Sequence, residues 1–153
     1  MIRKIDHINI SVTDIEATKK FFTDFLDLEV EKEGYLEGDW MDRTVGLENV
    51  KAKYAKLIIP GTETSIELIQ YYHPEGKPEG RSEGGKDSLM NKANRIGFRH
   101  VAFEVQDIES IHRKLKNAGI RVFSEIQRYN VTKKLFYFYG PDDIIIELAE
   151  YEK

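Results

Sequence analysis

Two stretches of this chain decide its fold, and they read Asp6-His7-Ile8-Asn9-Ile10-Ser11-Val12-Thr13-Asp14-Ile15-Glu16 and Arg99-His100-Val101-Ala102-Phe103-Glu104-Val105-Gln106-Asp107-Ile108-Glu109. An offset of 93 residues aligns His with His, Val with Val and Asp-Ile-Glu with Asp-Ile-Glu. A second pair of segments matches at an offset of 80, and it joins Ile66-Glu67-Leu68 to Ile146-Glu147-Leu148. Such internal repetition indicates two copies of one structural unit.

Each copy is predicted to begin with a strand that leads into a helix. Residues 7–12 alternate polar with apolar side chains, which is the two-residue period of a strand. Asp14 and Asp107 then stand where a helix N-cap belongs, and Gly119 is placed to end the second helix. Three more strands are expected after each helix, roughly at 28–35, 52–59 and 65–72, and at 121–126, 134–139 and 144–151. The predicted fold class is α+β, with two tandem βαβββ modules forming a curled mixed sheet around a cleft.

The whole chain, 1–153, is expected to form a single domain. Module one is assigned to residues 1–72 and module two to 98–153. The linker 73–97 is rich in Gly, Pro and charge, and it is interpreted as a solvated connector or a lid. A shorter irregular stretch at 37–43 carries Trp40, which is a candidate for a pocket wall.

Composition excludes several classes of function. The formal charge of −4 leaves no basic stripe for nucleic acid, and no apolar run approaches the ~20 residues needed to cross a bilayer. The chain starts without a stretch of signal-peptide character, so a cytoplasmic location is expected. Because there is no cysteine, any metal ion must be held by nitrogen and oxygen ligands.

Four polar residues occupy equivalent strand positions in the two copies: His7, Glu67, His100 and Glu147. Strand alternation places all four on the sheet face opposite the apolar residues that pack on the helices. A carboxylate within Ile-Glu-Leu is costly unless it is paired or bound to a metal. Two imidazoles and two carboxylates suit a divalent ion such as Zn, Ni, Co, Mn or Fe. Taken singly, each residue would more often be a structural histidine or a solvent-facing glutamate.

The remaining histidines do not share this pattern. His112 is predicted on the exposed side of the second helix, whose apolar stripe is assigned to Ile108, Ile111, Leu115 and Ala118. His73 falls in the linker. Both are interpreted as non-functional.

These motifs resemble the vicinal oxygen chelate superfamily (glyoxalase, bleomycin resistance protein and extradiol dioxygenase), and most closely its glyoxalase I and methylmalonyl-CoA epimerase branches. The resemblance covers nearly the whole chain and includes Gly140-Pro141-Asp142 before the last strand. One departure is Asp143, which stands where the family commonly has glycine.

The resemblance implies that His7, Glu67, His100 and Glu147 are the metal ligands, in a chain that is commonly a homodimer. It implies a metal-dependent isomerase, epimerase or lyase that moves a proton next to a metal-bound carbonyl, like methylmalonyl-CoA epimerase or lactoylglutathione lyase. Its substrate would be a small acyl or carbonyl compound. Glu147 is the first choice of base and Glu67 the partner for proton return, whereas Glu48 is interpreted as a surface charge.

Two alternatives stay open. An Fe(II) extradiol-type dioxygenase would be favoured if Glu67 were turned away from the metal. A small-molecule binding or resistance protein would be favoured if the protein bound no metal.

Overall fold

The computed structural model describes residues 5–76, 98–129 and 131–151 of the chain. The chain divides into two compact units, Met1–Pro78 and Glu79–Lys153, each of which contains one copy of the repeat. The predicted linker lies almost entirely outside the described residues, so its interpretation as a connector or a lid stays a prediction. No helix in the described part of the chain is long and apolar enough to span a membrane.

The first unit follows the order β1 (His7–Ser11), α1 (Ile15–Leu26), β2 (Glu29–Glu37), α2 (Asp39–Val45), β3 (Lys51–Ile58) and β4 (Ser65–His73). Its sheet has the strand order β1-β4-β3-β2. The outer strand β1 runs parallel to β4, and the other neighbours are antiparallel. The first strand of the module therefore lies beside the last.

The second unit repeats this topology with β5 (His100–Glu104), α3 (Ile108–Asn117), β6 (Gln127–Arg128), β7 (Lys133–Tyr139) and β8 (Ile145–Tyr151). Its strand order is β5-β8-β7-β6, again with one parallel pair, β5 and β8. The prediction of two tandem βαβββ modules is confirmed.

The two long helices are capped as the sequence predicts. The Asp14 side chain accepts a hydrogen bond from the Ala17 amide, and Asp107 accepts one from the Ser110 amide. Helix α3 ends before Gly119, whose φ of +74° is a left-handed conformation that glycine adopts without strain.

Helices α1 and α3 pack on the sheet faces that the apolar strand residues predict. In module one, Gln70 on β4 accepts a hydrogen bond at 3.0 Å from the amide of Ile15, which fixes the start of α1 on that face. In module two, Glu150 on β8 accepts a 2.7 Å hydrogen bond from the Asp107 amide. Buried side chains complete these faces, namely Phe22, Leu57, Ile66 and Leu68 in module one and Ile108, Leu115, Ile146 and Leu148 in module two. Because alternate strand residues point to opposite faces, Glu67 and Glu147 lie on the faces away from α1 and α3. In module one that face also carries α2, because Met41 and Val45 pack with Ala52, Ile69 and Tyr71 there.

Three local predictions are wrong. The strand expected at 121–126 is reduced to a single bridge between Val122 and Phe138, and β6 comprises only Gln127–Arg128. Ser124 and Gln127 instead donate side-chain hydrogen bonds to the carbonyl of Glu125, and such local bonds compete with a strand ladder. The stretch expected to be irregular at 37–43 contains α2, whose Met41 is buried while Trp40 is exposed.

The third error concerns α3. His112 is buried, with 5% of its surface exposed, and Ala118 is exposed. The apolar face of α3 therefore passes through His112 and not through Ala118, because the helix turns its i, i+4, i+7 residues Ile108, His112 and Leu115 towards the sheet.

The final turn accepts Asp143 at the position where the family commonly has glycine. Residues 141–143 form a 3-10 turn in which Asp142 and Asp143 both have a φ of +56°. Aspartate is among the few non-glycine residues that enter this left-handed region readily. Arg121 also donates a 2.9 Å hydrogen bond to the Asp143 carboxylate.

Candidate functional site

The first predicted pair, His7 and Glu67, comes together on the parallel strands β1 and β4. The Nε2 atom of His7 lies 3.7 Å from Oε1 of Glu67. Asn9, which is the register partner of Glu67, donates a 3.1 Å hydrogen bond to the same oxygen. Glu67 is therefore held by a neutral amide and faces an imidazole.

Asp6 orients the ring of His7. Its Oδ2 atom lies 2.9 Å from Nδ1 of His7. A carboxylate can only accept a hydrogen bond, so this contact requires the hydrogen on Nδ1. In neutral His7 the lone pair is then on Nε2, the nitrogen that faces Glu67. A carboxylate behind a histidine is the usual way in which a metal-binding imidazole is oriented.

The second predicted pair, His100 and Glu147, comes together on β5 and β8. The Nε2 atom of His100 lies 3.3 Å from Oε2 of Glu147. The other carboxylate oxygen, Oε1, accepts a 3.0 Å hydrogen bond from Nζ of Lys133. Only 9% of the Glu147 side chain is exposed, against 23% for Glu67. Glu147 is thus a buried carboxylate with a cation on one oxygen and an imidazole facing the other.

Burial and the charge of the neighbouring carboxylate raise the pKa of one tyrosine in each module. Tyr137 lies directly opposite Glu147 in the β7–β8 register, and its ring centroid is 5.0 Å from that of His100. Burial raises the pKa of Tyr137, and the hydrogen bond and negative charge of Glu147 raise it further. In module one, burial raises the pKa of Tyr71, with a further contribution from the charge of Glu67.

Lys133 is affected in the same direction. Its hydrogen bond to Glu147 raises its pKa above the ordinary lysine value, despite an opposing effect of burial. An ammonium group therefore compensates the charge of Glu147 across the neutral pH range.

The spacing within each pair fits two ligands of one ion. Two donor atoms that each lie about 2.1 Å from a metal, at angles of 90–110°, are about 3.0–3.4 Å apart. The 3.3 Å separation in module two falls in that range, and the 3.7 Å separation in module one is slightly longer. Each pair also combines a borderline nitrogen donor with a hard oxygen donor. The residues therefore suit a divalent metal ion.

The described residues do not form a set of metal ligands larger than these two pairs. Among residues 5–76, 98–129 and 131–151, no set of three or more His, Cys, Asp or Glu side chains is arranged to hold a metal ion. The structure assembles His7 with Glu67, and His100 with Glu147. The four-ligand set stays a prediction.

The other candidate residues lie outside these pairs. His73 is at the exposed end of β4, where its Nδ1 atom is 3.0 Å from the carbonyl oxygen of Asn49. His112 is buried against the edge of the Phe136 ring on the helix side of its sheet. Glu48 is exposed in the loop before β3.

Sequence reasoning assigned no role to Asp6, Asn9, Lys133 or Tyr137, all of which contact the predicted ligands. The turn before the last strand could have identified Lys133 and Tyr137. The turn at 140–144 sets the register of the β7–β8 hairpin, and this register places Lys133 and Tyr137 on the face of Glu147. Asn9 shares the face of His7 by strand alternation alone.

The amino-acid sequence is similar to those of known proteins. Residues 4–148 match the family model described as the Glyoxalase/Bleomycin resistance protein/Dioxygenase superfamily. An ethylmalonyl-CoA/methylmalonyl-CoA epimerase from Cereibacter sphaeroides is 29% identical, with 100% of this chain and 99% of the epimerase covered.

Solved structures show the same fold. A glyoxalase family protein from Bacillus cereus has a TM-score of 0.87 and 25% identity, covering 100% of this chain and 97% of its own. The fosfomycin resistance protein FosX from Listeria monocytogenes, solved with Mn(II) and sulfate, has a TM-score of 0.58 and 21% identity, covering 98% of this chain and 93% of its own.

Proposed function

The chain belongs to the Glyoxalase/Bleomycin resistance protein/Dioxygenase superfamily, and from that premise we propose that it is a metal-dependent isomerase, epimerase or lyase. The observation that carries the proposal is the repeated pair of one imidazole and one carboxylate, on the sheet face away from α1 in module one and away from α3 in module two. We propose that His7, Glu67, His100 and Glu147 hold one divalent ion, drawn from Zn, Ni, Co, Mn or Fe.

The bound ion would supply Lewis-acid chemistry, stabilising negative charge on a substrate carbonyl oxygen. The chain's own residues then handle the proton on the adjacent carbon. Glu147 is the proposed base, because its carboxylate is buried and its Oε2 atom faces His100. Glu67, held by Asn9, is the proposed group for proton return.

The orientation of Glu67 favours this reaction class over ring cleavage. An extradiol-type site would use two histidines and one carboxylate, with Glu67 turned away. Glu67 instead faces Nε2 of His7 on the same strand face. A fourth protein ligand leaves fewer open positions for two substrates, so an isomerase or lyase is the better proposal.

The proposed substrate is a small acyl or carbonyl compound with an acidic hydrogen next to the carbonyl. The similarity to an ethylmalonyl-CoA/methylmalonyl-CoA epimerase makes acyl-CoA thioesters the first compounds to test. Methylglyoxal–thiol adducts form the second set, for a lactoylglutathione lyase-like reaction.

The first experiment measures metal in protein purified without added metal, by elemental analysis, and after titration with Mn(II) or Zn(II). We expect close to one ion per four-ligand site in the native chain and loss of it in His7→Ala and in His100→Ala. His73→Ala is the matched control, because it removes a histidine outside both pairs, and it should bind as the native chain does.

The second experiment follows exchange of the substrate α-hydrogen for deuterium in D2O by NMR, using methylmalonyl-CoA. Glu147→Gln should slow exchange by about a hundredfold or more, which is the usual contribution of a general base. Absence of metal binding in the native chain would refute the enzyme proposal and favour a binding protein. Bound iron with oxygen uptake on catechols would favour the dioxygenase.

We also propose that the protein is a homodimer. Light scattering should give twice the monomer mass of 17.8 kDa. If it does, mixing His7→Ala with His100→Ala subunits tests whether the two pairs act across chains. Restored metal binding in the mixture would require ligands from two subunits.

A further inference from the structure

The two candidate carboxylates differ in what holds them. Nζ of Lys133 donates to Oε1 of Glu147 at 3.0 Å, whereas Nδ2 of Asn9 donates to Oε1 of Glu67 at 3.1 Å. The distances are nearly equal, but one donor carries a positive charge and the other is neutral.

Lys133 breaks the symmetry of the duplication. It pairs with Tyr151, which lies four residues after Glu147 on β8. The corresponding pair in module one joins Ala52 to Tyr71, four residues after Glu67. Alanine cannot reach a carboxylate, so this position of module one makes no equivalent contact with Glu67.

The lysine on the opposite face, by contrast, is repeated. Lys53 contacts Glu16 at 2.5 Å in module one, and Lys134 contacts Glu109 at 3.0 Å in module two. Both contacts tie a helix to its sheet. Module one also has a lysine on the candidate-ligand face, because Lys56 lies opposite Glu67 in the β3–β4 register, but its Nζ atom contacts Glu31 at 3.6 Å. Among the described residues, a lysine that contacts the candidate carboxylate itself occurs in module two, and the architecture of the module does not explain it.

A cation on Glu147 has a definite effect on metal binding. The ammonium group occupies Oε1, so Oε2, the oxygen that faces His100, is the atom left for an ion. The like charges of lysine and metal also repel each other beside the Glu147 carboxylate, which is 9% exposed, so screening by water is weak there. Glu147 should then bind an ion through one oxygen and less firmly than Glu67 does.

We propose that Lys133 is a positioning residue that loosens Glu147 as a metal ligand and thereby assigns it the role of base. Glu67, held by a neutral amide, is the firmer ligand. This inference rests on the proposed function. It assigns different roles to two carboxylates that occupy equivalent positions in the sequence repeat.

The test is a calorimetric titration of the metal-free full-length protein with Mn(II). Lys133→Met should bind Mn(II) about tenfold more tightly, or better, because the competing charge is gone. Lys133→Gln, which keeps a hydrogen-bond donor without the charge, should shift affinity in the same direction, and Lys133→Arg should restore the native value.

Lys134→Met is a closely matched control. Lys134 is the next residue, its side chain is 20% exposed against 21% for Lys133, and its carboxylate contact is also 3.0 Å long. It faces the helix side, so its removal should leave Mn(II) affinity within about twofold of native, since its charge acts through the sheet and is paired with Glu109.

Proton exchange on methylmalonyl-CoA at saturating Mn(II) gives a second measurement. The turnover rate should fall in Lys133→Met and Lys133→Gln while KM changes little, and Lys133→Arg should recover it. Unaltered or weaker Mn(II) binding in folded Lys133→Met and Lys133→Gln would overturn the inference alone. No Mn(II) binding by the native chain would overturn the proposed function and this inference with it.

Discussion

His112 provides a test of how the second module is packed. Its Nε2 atom is buried and has no hydrogen-bond partner within the described residues, and the nearest carboxylate oxygen, on Glu125, is 3.7 Å away. A buried polar atom without a partner costs about 1–3 kcal/mol. Replacing His112 by leucine removes that cost and keeps an apolar side chain of similar size between α3 and the sheet.

Two smaller effects act in opposite directions. The edge contact between His112 and Phe136, with centroids 4.7 Å apart, is lost and would cost about 0.5–1 kcal/mol. Leucine is a better helix former than histidine by a few tenths of a kcal/mol. His112→Leu should therefore raise the free energy of unfolding by about 1–2 kcal/mol, which for a chain of this size corresponds to about 3–6 °C in Tm.

Urea denaturation at pH 7.5, followed by circular dichroism, measures the change. His73→Leu is the control, because His73 is exposed and its Nδ1 atom already contacts the Asn49 carbonyl. That variant should be neutral or slightly destabilised. A lower denaturation midpoint for His112→Leu than for the native chain would refute the reasoning, since it would mean that Nε2 is satisfied in solution.

Two further predictions follow from the helix ends and from the surface charges. Asp14→Ala and Asp107→Ala each remove a helix cap and should lower the free energy of unfolding by about 1 kcal/mol. Because Asp107 has a φ of +57°, Asp107→Gly should lower that free energy less than Asp107→Ala does, as measured by denaturant titration. Equal costs for the two Asp107 variants would contradict this. Lys19, and next Lys53, hold the pKa of Glu16 below its usual value of 4.5, so the stability that Glu16 contributes is present above that pH and is lost as the pH falls through the lowered pKa. Glu16→Gln should therefore flatten the loss of stability below about pH 4.5 in acid titrations, and an unchanged acid limb would count against it.

The parts of the fold that could be predicted from sequence depend on local patterns. Alternation at 7–12 predicts both the strand and the face of His7, and Asp14 and Asp107 predict the helix starts, because a cap needs only its own next turn. The pairing of each histidine with its glutamate was also accessible, since the repeat predicts both members on the same face.

The parts that could not be predicted depend on partners distant in sequence. The side chain of His112 is buried because α3 turns it towards Phe136, and no local pattern distinguishes that face from one that ends at Ala118. The turn at 140–144 could place Lys133 on the face of Glu147, but the contact of its Nζ atom with Oε1 depends on side-chain geometry that the turn does not determine. The strand expected at 121–126 stops after the bridge at Val122 because of the local hydrogen bonds around Glu125, which strand propensity does not include.

The parallel pairing of the first strand with the last strand, in both modules, has a consequence for folding. His7 meets Glu67, and His100 meets Glu147, only when the first and last strands of the module pair, with the other elements of the module between them in sequence. Contacts between such distant parts of a chain form late, because the entropy of closing the loop is lost before the contact contributes any stabilising free energy. Each imidazole–carboxylate pair thus depends on the strand pairing that closes the whole module. Loss of metal affinity would then report damage anywhere along that half of the chain, including damage far from the ligands themselves.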